Sequence, residues 1–263
     1  MKMMLAIFAI LLMACQQQVV KSPKAIISDT IVEPMQEVKE DFLTLDYVTG
    51  KFNPAKHKDF VVIPKSYADR EGMYLRQEVF DAFVKMNEAA KKDGVHFVIR
   101  SAARNFDYQK GIWERKWTGK TVLSDGTNVK KDIHSAKAKS LKILEYSSMP
   151  GSSRHHWGTD FDLNNFNNDW FEVGEGLKMY NWLVANAKDY GFAQPYSPKG
   201  NERPEGYNEE KWHWSYLPTA NKLTEFAKKE LKSHMIKGFL GDETAEEIDI
   251  VKNYVLGIHS SCK

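Results

Sequence analysis

Two short stretches of this chain collect side chains able to bind and use a metal ion. The first runs Ser153-Arg154-His155-His156-Trp157-Gly158-Thr159-Asp160-Phe161-Asp162, and the second Glu210-Lys211-Trp212-His213-Trp214. Two imidazoles, His155 and His213, and the Asp162 carboxylate give a zinc ion three protein ligands. A fourth position is left for water, the layout of a catalytic rather than a structural site. Glu210, three residues before His213, adds a carboxylate that can take a proton from such a water and later hand it to a leaving amine.

The spacing dictates the elements that must carry these groups. His155 and Asp162 lie too far apart to share one helix face in the manner of His-Glu-x-x-His. They need a turn followed by a strand, and Gly158 between them supplies the bend. A strand is therefore expected from Gly158 to Leu163, carrying Asp162. A second, Trp212 to Tyr216 and ended by Pro218, brings His213, with Trp212 and Trp214 forming a dry wall around the imidazole. His156 is adjacent to His155 and competes with it as a ligand. On an extended segment it points to the other face, away from the metal or toward solvent. His57, His96, His134, His234 and His259 have no companion ligands in sequence and read as ordinary residues.

Around the two stretches the pattern is mixed. Val79, Phe83, Met86 and Ala90 recur at helical spacing, and the segment stops at Gly94, a residue suited to a left-handed helix end. Val95 to Arg100 alternates as a strand that delivers Ser101 to Arg104. Further helices are expected over Tyr108 to Lys116, Ser135 to Ser147, about Leu177 to Ala187 with closure at Gly191, Ala220 to Ser233, and Ala245 to Ile258. The last is opened by a capping box of Thr244 and Glu247. Without a regular βαβ repeat, the class is α+β.

The N-terminus reads as an address. Lys2 precedes a short apolar run, Met3 to Ala14, too brief to span a bilayer and typical of a signal core. It ends Leu12-Met13-Ala14-Cys15, which looks like a lipobox. Residues 1–14 are then a lipoprotein signal peptide, and Cys15 carries the lipid. Residues 15–40 form a flexible tether, and 41–263 the catalytic domain with its C-terminal helices. The mature chain would sit in the cell envelope, anchored to the membrane by lipid, and with Gln16 after the anchor at the outer membrane facing the periplasm in a Gram-negative cell. The other cysteine, Cys262, has no partner once Cys15 is acylated, and the sequence around it reads as a frayed end. A net charge of +2 with interspersed signs excludes the footprint of a nucleic-acid binder. Fourteen Phe, eleven Tyr and seven Trp imply an aromatic core or a groove for an extended ligand.

Ser-x-His-x6-Asp followed by Glu-x-Trp-His resembles the VanY-type zinc D-Ala-D-Ala carboxypeptidases, LAS metallopeptidases that trim peptidoglycan stem peptides. Upstream, Ser101-Ala102-Ala103-Arg104-Asn105-Phe106-Asp107-Tyr108-Gln109 is similar to the family segment Ser-Gly-Tyr-Arg-Ser-x-x-x-Gln. The resemblance implies a small central antiparallel sheet flanked by helices, a single domain and a monomer. It selects His155 over His156 as ligand and makes Glu210 the proton carrier. Arg104 faces the scissile carbonyl, and Gln109 and Ser153 bind the substrate backbone or its terminal carboxylate. Two departures stand out: Ala102-Ala103 replaces Gly-Tyr, and Thr159-Asp160-Phe161 stands where small and apolar residues are usual. The implied reaction is removal of the terminal D-Ala. L,D-carboxypeptidase or endopeptidase activity remains open within the family, as does a cell-wall-binding lipoprotein without turnover.

Overall fold

The computed structural model describes residues 41–263; the signal, Cys15 and the tether lie outside the described residues. In chain order the helices and strands are α1 (Leu45–Val48), β1 (Phe60–Val62), β2 (Tyr74–Arg76), α2 (Gln77–Lys92), β3 (Ile99–Ser101), α3 (Phe106–Trp117), α4 (Val129–Asp132) and α5 (Ala136–Ile143). They continue with β4 (Asp160–Leu163), α6 (Gly174–Asn186), β5 (Phe192–Ala193), β6 (His213–Tyr216), α7 (Leu217–Glu230) and α8 (Thr244–Glu247). Strands β1 and β2 form a small hairpin-like pair, while β3-β4-β6-β5 make a second sheet in that order, antiparallel throughout. The α+β expectation with a small antiparallel sheet holds.

Register in the second sheet is the feature that makes a site. Phe161 pairs with Trp214, Asp162 with His213 and Asp160 with Ser215. Because side chains alternate along a strand, Phe161, Leu163 and Trp214 go to one face, where they pack with Phe83, Phe97 and Phe192 from α2 and its neighbours. Asp160, Asp162, His213 and Ser215 are left on the opposite face. Fully burying side chains such as Phe161 and Leu163 is worth roughly 1.5–3 kcal/mol each. A one-residue slip would exchange them for carboxylates, so the apolar face fixes the register of the polar one.

A second cluster of buried residues, including Trp113, Trp157, Leu223, Ile236 and Ile258, joins α3, α7 and the C-terminal segment. Several sequence expectations need correction here. Strand β6 does end just before Pro218, but the helix expected from about Ala220 starts earlier, at Leu217, and takes in Pro218. The proline stands in the first turn of α7, where its missing N–H costs nothing. The expected long helix over Ala245 to Ile258 is broken: α8 is one turn, Asp249 has φ of 51°, and a π-helical turn follows over Val251–Val255. Thr244 is not its N-cap either, because its hydroxyl donates inward to the Gly241 carbonyl and pairs with Ser140. Cys262 is 0% exposed rather than frayed. A thiol buries as readily as a small apolar side chain, and it packs with the second cluster. Among the described residues, no helix is long and apolar enough to cross a membrane.

Candidate metal centre

His155 comes from a 3-10 turn, Arg154–Trp157, which Gly158 ends in the left-handed conformation at φ of 70°. A Cβ on Gly158 would lie 2.4 Å from the Phe60 ring, so glycine is required there for space as well as for backbone angle. The chain then enters β4 and presents Asp162 beside His213 of β6. The expected turn and strand are both present.

Donor atoms of His155, Asp162 and His213 all lie within 4.8 Å of one another, and all three residues are buried. Each imidazole has one nitrogen already engaged. His155 Nδ1 is 3.0 Å from the Ala102 carbonyl, and His213 Nε2 is 2.9 Å from Asp160 Oδ2. The free nitrogens converge on one carboxylate, with His155 Nε2 3.3 Å from Asp162 Oδ2 and His213 Nδ1 3.0 Å from Asp162 Oδ1. That Oδ1 is buried without a hydrogen-bond partner. An orphaned carboxylate oxygen beside two inward-facing imidazole nitrogens is a donor set that fits a divalent ion, and zinc in particular. Glu210 Oε2 is 3.4 Å from His213 Nδ1, on the same side.

Burial and charge act together on these groups. Burial pushes the Glu210 carboxyl up to about 8, an effect that the His213 charge offsets only in part. His155 falls to about 4, through burial first and the Arg104 cation second. Burial lowers His213 too, but the facing carboxylates of Asp160 and Asp162 outweigh it and hold the imidazole up at about 9. Asp162 is driven well below the carboxylate range, burial being overcome by the two histidines.

Other sequence candidates fall nearby. Arg104 and Gln109 line a cleft of about 930 Å³ together with His155, Asp162, Glu210 and His213. The Arg104 Nε and Gln109 Oε1 atoms are buried without partners. Ser153 is buried with an unpartnered hydroxyl, but it is not among the residues that line the cleft. His156 does not face solvent as one alternative held: the segment is a 3-10 turn, not a strand, and the ring is 0% exposed. It accepts from the Gly151 amide at 2.9 Å and meets the Arg104 carbonyl at 2.6 Å, tying the turn to the arginine segment. The dry wall expected of Trp212 and Trp214 is built otherwise: Trp214 packs on the opposite face of the sheet, and Trp212, though buried in the same cluster, reaches the cleft beside Tyr146 and Phe166. Tyr196, with its ring centroid 4.7 Å from that of His213, takes that place.

Sequence reasoning missed Tyr196, Arg154 and Lys116. Lys116 lines the cleft near Arg104, its ammonium bonded to Ser147 and lowered to about 8 by burial and by the Arg104 charge. Its only sequence signal is its position seven residues after Gln109, on the same face of α3.

A family model described as VanY, D-alanyl-D-alanine carboxypeptidase, matches residues 72–219, the span that holds every residue of this site. The chain belongs to the VanY family. This VanY-family chain is 30% identical over 174 residues to the putative carboxypeptidase YodJ of Bacillus subtilis, covering 64% of this chain and 55% of that protein. It is 29% identical over 141 residues to a D-alanyl-D-alanine carboxypeptidase of Enterococcus faecalis, covering 54% and 45%. It thus spans about half the length of the curated relatives it matches. Among solved structures, VanYB in complex with D-alanine-D-alanine is similar over 66% of this chain and 86% of that one, with 21% identity and a TM-score of 0.48. The LdcB LD-carboxypeptidase is similar over 66% and 78%, with 26% identity and a TM-score of 0.47.

Proposed function

We propose that this chain is a zinc-dependent carboxypeptidase that hydrolyses the terminal D-Ala from peptidoglycan stem peptides. The observation that carries the reading is the convergence of His155, Asp162 and His213 on one point, with Glu210 beside them at the head of a cleft. His155 Nε2, an Asp162 oxygen and His213 Nδ1 would hold the ion. A bound zinc supplies Lewis acidity, polarising the scissile carbonyl and making a neighbouring water more acidic.

The chain's own groups do the rest. Glu210 is a buried carboxyl whose affinity for a proton is already raised, so it can both accept one from water and release it to the departing amine. Arg104 brings a cation whose Nε is unpartnered, suited to charge that develops on the carbonyl oxygen. Gln109 offers a free Oε1 to a substrate N–H, while its Nε2 is fixed on the Ser148 carbonyl at 2.8 Å. Lys116, beside Arg104, provides the second cation that a terminal carboxylate calls for. At the mouth, exposed Phe166 and Tyr146 flank Trp212 and offer apolar surface to the rest of the peptide. The Leu12-Met13-Ala14-Cys15 sequence supports a lipid anchor that would hold the enzyme at the envelope.

The test is Glu210→Ala in protein lacking residues 1 to 40. The variant is expected to keep its zinc and fold while turnover of pentapeptide muropeptides, read by mass spectrometry, falls roughly a hundred- to ten-thousand-fold. Zinc-loaded wild type that releases no D-Ala from pentapeptides would defeat the reading. Release from tetrapeptides alone would move the scissile bond to the L,D position.

A further inference from the structure

We propose that Asp160 is a positioning residue of the metal centre: its carboxylate holds the His213 proton on Nε2 and thereby turns the Nδ1 lone pair toward the ion. The inference rests on the reading that His155, Asp162 and His213 bind the metal. Asp160 itself is not a fourth ligand, because it meets His213 at the nitrogen on the far side of the ring from Asp162.

The Asp160 carboxylate is 0% exposed and fully engaged. Oδ2 faces His213 Nε2 at 2.9 Å and accepts from Arg154 Nε at 3.1 Å. Oδ1 accepts from the Thr159 hydroxyl at 2.6 Å and the Ser215 hydroxyl at 2.8 Å. Arg154, likewise buried, donates its remaining nitrogens to Thr224 at 3.0 Å and to Ser215 at 2.8 Å, and its guanidinium lies 4.4 Å from the Trp157 ring centroid. Five side chains, Arg154, Thr159 and Ser215 directly and Trp157 and Thr224 through Arg154, are thus committed to one acceptor for one ring nitrogen.

Stability does not account for so large a network. Withdrawing a guanidinium and a carboxylate from water costs several kcal/mol per ion, and well-packed apolar residues of the same volume are often as stable or more so. What the network does provide is orientation. A ligating imidazole is fixed in tautomer and angle by the partner of its other nitrogen, and a charged acceptor makes the ring a stronger donor than a neutral one. His155 has the Ala102 carbonyl in this role, whereas His213 has a carboxylate. Arg154 cancels the Asp160 charge locally, so the aim of His213 is set without adding net negative charge to the pocket, where Glu210 must carry a proton.

Two variants test this: Asp160→Asn, which keeps the shape with a weaker acceptor, and Arg154→Met combined with Asp160→Ala, which removes the buried ion pair as a unit. Zinc affinity is measured by competition with a chromophoric chelator on protein whose metal-free melting curve shows a single folded state. Exchange of the His213 Nε2 proton is followed by nitrogen-15 NMR of the zinc-loaded form. The expected losses are about 10-fold for Asp160→Asn and about 100-fold for the double variant, with fast Nε2 proton exchange in the latter. A double variant that folds and binds zinc as tightly as wild type, with the proton still protected, overturns the inference. If the double variant does not fold, unchanged affinity in Asp160→Asn overturns it instead. Wild type that binds no zinc would overturn the metal-site reading first, and this inference with it.

Discussion

Glu210 is the residue at which environment and role meet. In the metal-free protein its folded-state pKa stands at about 8, above the ordinary 4.5. A group shifted upward stabilises the fold fully below its unfolded value, and that contribution disappears as pH rises through the folded one. Chelator-treated protein is therefore expected to lose stability between about pH 4.5 and about pH 8, and Glu210→Gln to flatten the decline in that window. Urea midpoints at the two ends of the range check this, and equal slopes in the two proteins would refute it. His155 contributes in the opposite sense. Lowered to about 4 from 6.5, it stabilises above 6.5 and loses that contribution as pH falls toward 4, in wild type and variant alike. At this scale much of the site could be read from the chain, because His155, Asp162, Glu210 and His213 carry their chemistry in their side-chain types and intervals. Asp160 could not. In sequence it is only a residue standing where small and apolar ones are usual, and only the pairing of β4 with β6 shows Arg154, Ser215 and His213 closing around it. Tyr196 was beyond reach for the same reason, since its approach to His213 depends on how an irregular segment returns to the sheet.

Among the elements, those announced by glycine were the most readable. Gly94, Gly158 and Gly191 all take positive φ where the sequence suggested a bend or a helix end. Gly158 is the most constrained of these, since a Cβ there would meet the Phe60 ring at 2.4 Å and Arg76 Cγ at 3.1 Å. Gly158→Ala is expected to cost about 3 kcal/mol, roughly 1 for the left-handed backbone and about 2 for the overpacking. It should also weaken zinc binding, because the displaced turn carries His155. Denaturant midpoints and chelator competition measure the two effects, and a variant as stable as wild type would show that Phe60 yields without cost. The elements that sequence misplaced share a different cause. Pro218 reads as a stop wherever its missing N–H matters, and at the start of α7 it does not. The periodicity over Ala245 to Ile258 is genuine, but Asp249 in a left-handed conformation divides it, and apolar spacing carries no sign of such a break.

For the whole molecule, the proposed lipid on Cys15 makes location a matter of one side chain. Cys15→Ser is expected to abolish labelling by radioactive palmitate and to leave the protein either unprocessed or released from the membrane fraction. Equal label in both proteins would mean that the Leu12-Met13-Ala14-Cys15 sequence is incidental. Where such a tether joins the folded part is a point no motif reveals. The first described helix, α1, lies against the turn that bears His155. Tyr47 donates its hydroxyl proton to the Trp157 carbonyl at 2.8 Å, and the Trp157 indole N–H reaches the Val48 carbonyl at 3.1 Å. The Gly50 carbonyl takes the Phe106 amide at 2.8 Å, two residues beyond Arg104. Force applied along the chain ahead of residue 41 would therefore not dissipate at a remote corner. With the proposed lipid on Cys15, it would arrive at the clamp on the metal-binding turn, and tension between membrane and wall would then be a mechanical input to the site itself.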